Sequence, residues 1–307
     1  MSDKPPESGG APARRCGFVA LMGAPNAGKS TLLNRLVGAK ISIVTPKAQT
    51  TRTRVMGIAV DGNTQLIFLD TPGVFAARKR LDRAMVAAAW GGAKSADIVV
   101  VLVDASRPLG DDTRRIVEGL KAAGAKAVLA LNKIDVTRRN ELLRLADELN
   151  RDGVFTDTFM ISAVTGDGVP DLLAYLSARL PEGPWLYPED QLSDMPQFLL
   201  AAEVTREQVF LQLQQEIPYA AAVETESWTP FEDGSVRIDQ VIYVARESQK
   251  PIVIGKGGAR IKAIGEAARG QLERMLGHRV HLFLRVKVLD WAERPEHYRA
   301  LGLDFDV

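Results

Sequence analysis

The sequence predicts two folded units, a doubly wound α/β domain with a mostly parallel sheet and then a smaller α+β domain. Residues 17–180 alternate apolar runs with segments of helical spacing. The apolar runs are continuous rather than alternating, which is typical of strands buried on both faces of a parallel sheet. The stretch PEGPWLYP at residues 181–188 then interrupts this pattern, and the element order changes after it. We therefore expect a disordered N-terminal extension at 1–15, a first domain at 16–180, a stiff linker at 181–190, and a second domain with a C-terminal tail at 191–307.

The predicted elements of the first domain follow in order along the chain. Apolar runs predict strands at residues 17–23, 54–60, 64–70, 97–106, 125–135 and 155–163. Helical spacing predicts helices at residues 29–38, 139–150 and 169–180. The tripeptide DGN between the second and third runs predicts a hairpin turn.

The second domain has a different predicted order: a helix, two strands, a short helix or strand, a glycine turn, a long helix, a strand and a final helix. The first helix is expected at residues 198–213 and the two strands at 220–229 and 235–247. The short element, the glycine turn and the long helix together span 250–277, the next strand is at 279–290, and the final helix is at 295–303. The order α-β-β-α-α-β with a helical tail indicates a separate α+β unit.

Composition limits the possible classes of protein. The chain has 307 residues, a formal net charge of +1 and a single cysteine, Cys16, so no disulfide can form within it. A small residue entering the first strand is the favoured interpretation of Cys16 over a reactive thiol. The N-terminus lacks the apolar segment of a signal peptide, and the longest strongly apolar run, at 98–103, is too short to span a bilayer.

The segment GAPNAGKS, Gly23–Ser30, fits the pattern G-x-x-x-x-G-K-[ST] between a predicted strand and a predicted helix. Backbone N–H groups of such a loop surround a β-phosphate, and the following helix N-terminus adds positive charge. Lys29 is expected to reach the β- and γ-phosphates, and Ser30 to place its hydroxyl on Mg²⁺. A plain glycine turn with a surface lysine is the alternative, which the strand–helix context disfavours.

Two further motifs make this site specific for a guanine nucleotide. In DTPG, Asp70–Gly73, the carboxylate is expected to hold the Mg²⁺ shell through water, and the Gly73 N–H to meet a γ-phosphate. In NKID, Asn132–Asp135, the Asp135 carboxylate is expected to accept from N1–H and the exocyclic amine of guanine. An ordinary loop turn and a helix-capping aspartate are the alternatives when each motif stands alone. Ser162 and Ala163 are expected to offer backbone contacts to the guanine O6.

In this order the motifs resemble those of the translation-factor-related GTPases, which have a Ras-like P-loop domain. The resemblance implies that Ile41–Arg54 is the first switch loop, in which a threonine coordinates Mg²⁺ when a γ-phosphate is present. Thr50 and Thr51 are candidates, and Thr51 is preferred. Val74 stands where Ras-like proteins carry the glutamine that orients the attacking water, so we expect slow intrinsic hydrolysis.

The resemblance also suggests a potassium ion. Asn26 matches a position where related GTPases help to bind K⁺ beside the phosphates, although a turn-forming asparagine is the alternative. The expected catalytic residues are Lys29, Thr51 and Gly73, and the expected Mg²⁺ residues are Ser30, Thr51 and Asp70. The predicted nucleotide contacts are Gly23, Ala24, Pro25, Asn26, Ala27, Gly28, Lys29, Ser30, Thr31, Asp70, Thr71, Pro72, Gly73, Val74, Asn132, Lys133, Ile134, Asp135, Ser162, Ala163 and Val164.

A second glycine loop, Gly255–Gly258, lies in VIGKGGARIK. It lacks the lysine–serine pair of the first loop, but it fits G-x-x-G in an order of elements that resembles a type II KH domain, whose loop clamps about four nucleotides of single-stranded RNA. Between Arg237 and Lys287 there are 11 Lys/Arg against 4 Asp/Glu, as a phosphate-binding surface requires. A plain glycine turn between helices is the alternative. The predicted RNA contacts are Ile254, Gly255, Lys256, Gly257, Gly258, Arg260 and Lys262; Ile252 is expected to be core.

Both halves together resemble the Era family of GTPases over nearly the whole chain, apart from about fifteen N-terminal residues. The resemblance is carried by GAPNAGKSTLLN, KAQTTR, DTPG, NKID and IGKGG in the matching order. It implies a GTP-hydrolysing protein of the cytoplasm that binds the 3′ end of small-subunit ribosomal RNA and assists maturation of the small ribosomal subunit. It also implies Mg²⁺ as cofactor and peripheral contact with the inner face of the cell membrane; we expect a monomer.

Two other functions stay open at the level of sequence. The chain could be the GTPase component of an RNA-modification complex, with partner-driven activity and no RNA affinity of its own KH domain. Alternatively, the KH domain alone could carry the function, with the GTPase domain as a passive scaffold. The presence of both Lys29–Ser30 and Gly255–Gly258 favours a protein in which the nucleotide controls RNA binding.

Overall fold

The computed structural model describes residues 13–307, so most of the predicted N-terminal extension lies outside the described residues. The first half of the chain forms a sheet in the strand order β2-β3-β1-β4-β5-β6, in which β2 runs antiparallel to β3 and the other pairs are parallel. Its strands are β1 (Arg15–Gly23), β2 (Val55–Asp61), β3 (Thr64–Asp70), β4 (Ile98–Asp104), β5 (Ala127–Asn132) and β6 (Phe155–Ile161). Its helices are α1 (Lys29–Val37), α2 (Arg80–Ser95), α3 (Asp111–Ala122), α4 (Arg139–Asn150) and α5 (Val169–Arg179).

The order of the strands fixes where a ligand can bind. The chain winds outward in both directions from β1, so β3 and β4 flank it and their connections leave on opposite sides. In such sheets a crevice opens beyond the carboxyl ends of the strands at this switch point. The segments that follow β1, β3 and β5 therefore meet at one edge, and they are the three predicted nucleotide motifs.

The second half forms a smaller sheet in the order β7-β8-β9, with β7 antiparallel and β9 parallel to β8. Its strands are β7 (Ala222–Pro230), β8 (Val236–Val244) and β9 (Val280–Val288), and its helices are α6 (Gln197–Gln212), α7 (Ile217–Ala220), α8 (Lys250–Ile254), α9 (Ala259–Leu276) and α10 (Pro295–Ala300). Together the two sheets confirm the predicted fold class, α/β followed by α+β.

One expectation for this half is wrong. Ile252 was expected in the core, but it is 43% exposed, whereas its neighbour Val253 is fully buried. The segment is a single turn of helix, α8, and a helix this short turns one residue inward and its neighbour outward. Ile252 is therefore on the surface beside the glycine loop.

The linker is fastened to the first sheet. Gln65 on β3 is fully buried, and its side chain accepts from the N–H of Leu186 (2.9 Å) and donates to the carbonyl of Tyr187 (2.8 Å). Further along, Ile58 N donates to Leu192 O at 2.9 Å. The linker thus runs along the β2–β3 edge of the sheet and is held by its hydrogen bonds.

An apolar cluster joins the two halves. Leu81 and Met85 of α2 pack with Trp291, Tyr298 and Leu303 from the C-terminal segment, and all five are buried. The helix that follows the DTPG motif is therefore in contact with the end of the chain. Within the described residues, no helix is both long and apolar enough to cross a membrane.

Candidate functional site

The first glycine loop is shaped by close approaches that only glycine permits. Gly23 has φ 158° and lies beside β4, where a Cβ would stand 2.6 Å from Leu102 O. Gly28 has φ 101°, and a Cβ there would meet Asn132 Nδ2 at 2.2 Å. The loop is thus packed directly against the NKID segment, and both glycines of the predicted motif have a physical reason.

Lys29 begins α1 and is 6% exposed. Its ammonium donates to the carbonyls of Gly23 and Ala24, both at 3.1 Å, so it is held within the loop that is expected to surround the phosphates. Burial lowers the pKa of Lys29 to about 8, although the negative charge of Asp70 acts in the opposite direction.

Ser30, Thr51 and Asp70 come together although they are far apart in sequence. Ser30 Oγ donates to Asp70 Oδ2 at 2.6 Å and lies 2.9 Å from Thr51 Oγ1. Ser42 Oγ also donates to Asp70 Oδ2, at 2.9 Å. By contrast, the Thr50 hydroxyl donates to Lys47 O at 2.7 Å. The geometry therefore favours Thr51 over Thr50, as the sequence suggested.

This cluster has the chemistry that suits Mg²⁺. Its donors are hydroxyl and carboxylate oxygens, the hard ligands that Mg²⁺ prefers, usually with phosphates completing the shell. Asp70 is fully buried, and its Oδ1 has no hydrogen-bond partner among the described residues. Burial raises the pKa of Asp70, against the charge of Lys29 and the hydroxyl hydrogen bonds. A cation at this position would give the orphaned oxygen a partner.

Asn132 connects the first glycine loop, or phosphate loop (Gly23–Ser30), with the loop that contains Ser162 and Ala163, called the SA loop below. Its side-chain nitrogen donates to Ala27 O at 2.8 Å, and its side-chain oxygen accepts from Ala163 N at 2.9 Å. Asp135 lies in a short turn after β5 and is exposed, so its carboxylate is free to meet a base. Lys133 has φ 71° and donates to Asp104 Oδ2 at 2.6 Å.

Gly73 and Val74 have different surroundings. A Cβ on Gly73 would lie 2.9 Å from Pro25 N, so the DTPG turn touches the phosphate loop. Val74 is 3% exposed, and its N–H donates to Gly23 O at 3.1 Å. Its side chain packs in the core and has no atom that can orient a water molecule.

A cavity of about 260 Å³ is lined by residues of the first glycine loop and the switch loop, together with Gly73 of DTPG and Lys133 of NKID; the side chains of Asp70 and Asp135 do not line it. Of the predicted contacts, the lining includes Pro25, Asn26, Gly28, Lys29, Ser30, Thr31, Thr51, Gly73 and Lys133. Ala27, Thr71 and Val74 instead have buried side chains; the Thr71 hydroxyl donates to Leu21 O at 2.9 Å. Their expected contacts are thus limited to the backbone.

Sequence reasoning missed the residues that position the loops. Arg35, in the last turn of α1, donates hydrogen bonds to Ala163 O at 2.9 Å and to Val164 O, so it holds the backbone of the SA loop in place. Asn34 accepts from the N–H groups of Ile41 and Ser42, both at 2.9 Å, and thereby fixes the start of the switch loop. Asn34 ends the segment GAPNAGKSTLLN and Arg35 follows it, but that pattern assigns neither a role, and only the fold brings them to these loops.

The second half of the chain also holds the switch loop. Glu207 on α6 is 2% exposed, bonds Lys40 at 2.7 Å and accepts from Val44 N at 2.8 Å. Glu207 also accepts from Gln271 on α9 at 2.9 Å. Since α9 begins directly after the second glycine loop, a continuous set of contacts runs from the switch loop to that helix.

The second glycine loop has the exposed backbone that a phosphate clamp needs. Gly257 has φ 61° and Gly258 has φ 80°, and nothing lies within 4 Å of a Cβ on either. Lys256 is exposed, whereas the Arg260 guanidinium donates to Ile252 O at 3.0 Å and so supports α8. Lys262 is exposed and 3.9 Å from Glu266. Within the part of the chain that the structure describes, Lys256 is the one of these three basic residues whose side chain forms no hydrogen bond or ion pair with another residue.

Comparison with known proteins finds one protein family that matches the first half of the chain and another that matches the second half. A family described as "50S ribosome-binding GTPase" matches residues 18–133, and one described as "KH domain" matches residues 216–292. GTPase Era of Sinorhizobium medicae (strain WSM419) is 59% identical, over 95% of this chain and 94% of its own. GTPase Era of Maricaulis maris (strain MCS10) is 53% identical over the full length of both chains.

Two solved structures are similar over 94% of this chain and 99% of their own. One is Era in complex with MgGDPNP and nucleotides 1506–1542 of 16S ribosomal RNA, with a TM-score of 0.89 and 40% identity. The other is an Aquifex aeolicus Era variant bound to GDP.AlF4⁻, with a TM-score of 0.88 and 39% identity. Both similarities extend over the two halves and not over the first alone.

Proposed function

Because this chain belongs to the Era family of GTPases and hydrolyses GTP to GDP and phosphate, we propose that it binds the single-stranded 3′ end of small-subunit ribosomal RNA through its KH domain and assists maturation of the small ribosomal subunit. The observation that carries the proposal is the exposed glycine loop, in which the open space around Gly257 and Gly258 allows a phosphate backbone to approach closely. The complex of a similar Era protein with a 16S ribosomal RNA fragment supports the choice of RNA.

Each group in the nucleotide site has a proposed role in hydrolysis. Lys29 and the loop amides offset negative charge on the β- and γ-phosphates, and the Gly73 amide meets the γ-phosphate. Ser30, Thr51 and Asp70 would hold Mg²⁺, directly or through water. When bound, Mg²⁺ supplies charge neutralisation at the phosphates. The Asp135 carboxylate selects guanine, because adenine lacks the pair of donors that it accepts.

Hydrolysis by these residues alone is expected to be slow. Ras-like proteins align the attacking water with a glutamine at the position of Val74, and here that side chain is apolar and buried. The site therefore binds and orders the nucleotide better than it activates the attacking water.

A potassium ion is a further proposed component. Asn26 lines the cavity, and because its amide nitrogen donates to Pro46 O at 2.9 Å, the amide oxygen is the atom available to a cation. Its φ of 63° also fits the alternative role of a turn former. Replacing Asn26 with Gly keeps that backbone geometry and removes the oxygen. We expect faster hydrolysis in potassium than in sodium for the native chain, and no difference for N26G; equal rates for the native chain would exclude the ion.

The RNA proposal is tested by measuring affinity for a fragment of the 3′ end of small-subunit ribosomal RNA, with the protein bound to GDP or to a non-hydrolysable GTP analogue. Replacing Gly257 and Gly258 with Asp places two negative charges at the proposed clamp. The matched control replaces Gly234 and Gly277 with Asp; both have positive φ and open space around them, and they lie elsewhere in the same half.

The expected result is a loss of RNA affinity in G257D/G258D and native affinity in G234D/G277D. Undiminished affinity in the first variant would refute the loop assignment. Equal affinity in the two nucleotide states would refute control by the nucleotide. Absence of RNA affinity in the native chain would favour a GTPase that serves an RNA-modification complex.

We further infer that the protein acts as a monomer in the cytoplasm, with peripheral contact with the inner face of the cell membrane. The resemblance to the Era family supports this location, and the single buried cysteine fits a reducing compartment. Sedimentation with vesicles of anionic lipid tests the membrane contact, and light scattering of the purified protein tests the monomer.

A further inference from the structure

Arg52 directly follows Thr51 in the chain, but its side chain lies inside the second half of the protein. The guanidinium donates to the carbonyls of Ala221 (2.7 Å), Tyr219 (2.9 Å) and Pro218 (3.2 Å). These carbonyls lie at the end of α7, where few backbone oxygens have helical partners; Pro218 O also accepts from Ala221 N. Arg52 is only 1% exposed, so this residue of the switch loop is fully enclosed by the other half.

Two aromatic rings complete the enclosure. The guanidinium carbon lies 5.0 Å from the centre of the Trp291 ring and 5.5 Å from that of Phe210, within the range of cation–π attraction. Among the described residues no carboxylate forms an ion pair with Arg52, and its Nε has no hydrogen-bond partner. A buried cation held only by carbonyls and rings is costly unless all of them stay in place.

The residue before Thr51 is held by the same half. The Arg206 guanidinium on α6 bonds the Thr50 carbonyl, and it is itself fixed by Glu203. Since adjacent Cα atoms are about 3.8 Å apart, fixing the neighbours on both sides leaves Thr51 little freedom. Its hydroxyl lies 2.9 Å from Ser30 Oγ and 3.4 Å from Asp70 Oδ2, within the proposed Mg²⁺ cluster.

We propose that Arg52 is a positioning residue through which the second half of the protein holds Thr51 in place to bind the Mg²⁺ of the GTP-bound state. The inference rests on the proposed role of Thr51 as a Mg²⁺ ligand when a γ-phosphate is present. Arg52 would contact neither the nucleotide nor the metal. Because it restricts Thr51 before GTP binds, less conformational entropy is lost when GTP binds. GDP lacks the γ-phosphate and does not use this ligand.

The test replaces Arg52 with Met, which keeps an unbranched apolar stem and removes the guanidinium with its charge and donors. Affinities of the full-length protein for Mg²⁺·GDP and for Mg²⁺ with a non-hydrolysable GTP analogue are measured by titration calorimetry. We expect the affinity for the analogue to fall about tenfold, as is typical of coupling between two sites, while the affinity for GDP stays at the native value. Native GDP affinity also shows that the variant is folded.

Two further variants separate this role from a general loss of stability. Arg54 is an exposed arginine of the same loop, and R54M should bind both nucleotides like the native chain. Trp291→Phe weakens the enclosure from the second half without changing the switch loop, and we expect a smaller loss of analogue affinity. The effects of R52M and W291F should not add in the double variant, since both act through one contact.

Thr51→Ala distinguishes failure of the inference from failure of its premise. If T51A weakens analogue binding but R52M does not, Arg52 does not position Thr51. If T51A leaves analogue binding unchanged, the Mg²⁺ role of Thr51 is wrong and the inference falls with it. Equal loss of GDP and analogue affinity in R52M would also overturn the proposal.

Discussion

At the scale of single residues, the nucleotide site concentrates charge that burial makes sensitive to pH. Lys29 is buried within the first glycine loop. Burial lowers its pKa to about 8, and the negative charge of nearby Asp70 opposes a larger shift. A bound diphosphate adds negative charge beside the ammonium and favours its protonated form. The pKa of Lys29 therefore rises when a nucleotide binds, and nucleotide affinity depends on pH above the pKa of the free protein.

We expect GDP affinity to fall about tenfold between pH 7 and pH 9 through this group. Below pH 8 Lys29 is already charged and binding takes up no proton; above pH 8 each binding event must protonate it. Replacing Lys29 with Arg keeps a positive charge over this whole pH range. The GDP affinity of the variant should therefore depend on pH only through the titration of the guanine base. The same slope in K29R and the native chain would contradict the prediction.

Residues in contiguous motifs could be predicted from sequence, and residues that act through the fold could not. Lys29, Asp70 and Asp135 stand in patterns whose chemistry fixes both residue type and spacing. Arg35 occupies the last turn of a helix, where a basic residue is ordinary, and Arg52 is one arginine in a basic loop. Their roles depend on contacts 128 and 169 residues away in the sequence, which no local pattern encodes.

At the scale of elements, α1 and β2 pack closely enough that one glycine sets their distance. A Cβ on Gly57 would lie 2.6 Å from Leu33 Cδ1, 2.7 Å from Ile41 Cδ1 and 2.8 Å from Val37 Cγ2. These three side chains are buried in the core between α1 and the sheet, so moving them disturbs their contacts with other core residues. Gly57 therefore allows the helix that begins with Lys29 to rest on the sheet.

Gly57→Ala should destabilise the protein by about 1–3 kcal/mol, as overpacking of a core does. Gly91→Ala is the matched control, because Gly91 lies on the exposed face of α2 with open space around it. We expect this control to gain about 0.5–1 kcal/mol from helix propensity. Urea unfolding followed by far-ultraviolet circular dichroism measures both, and a G57A midpoint equal to or above the native one would contradict the prediction.

Strands and helices with strong periodicity were predictable, and short elements were not. The buried runs such as residues 98–103 form strands because they are apolar on both faces. Residues 250–254 fit a helix or a strand equally well, because five residues hold too little periodicity to decide. Packing of Val253 against the core resolves the choice and turns Ile252 outward.

At the scale of the whole molecule, the two halves share buried contacts and not only a linker. Arg52 and Glu207 are each buried at the boundary, and the cluster around Trp291 and Tyr298 includes side chains of α2. Separating the halves would expose this apolar surface to water and break the hydrogen bonds that hold the buried charges of Arg52 and Glu207. The halves are therefore expected to resist unfolding as one unit.

GDP binds only in the first half, so its effect on the second half measures this coupling. At 100 times the dissociation constant we expect a gain of about 2.7 kcal/mol in unfolding free energy. Hydrogen exchange through global unfolding should therefore slow about 100-fold, both in the amides of β7–β9 and in those of β1–β6. Tyr298→Ala removes a fully buried side chain from the shared cluster and should confine the slowing to the first sheet. Slowing confined to the first sheet in the native chain would show that the halves unfold separately.

The fastening of the linker decides how the second half can move. The last hydrogen bond from the linker segment to the sheet is that of Ser193, whose hydroxyl donates to Met56 O at 2.6 Å, and α6 begins at Gln197. Only residues 194–196 lie between them, and Pro196 has a fixed φ. Any reorientation is therefore confined to a three-residue hinge, and it must also break the buried contacts between the two halves. A hinge this short keeps the glycine loop within a small volume relative to the first sheet, unlike a long flexible tether.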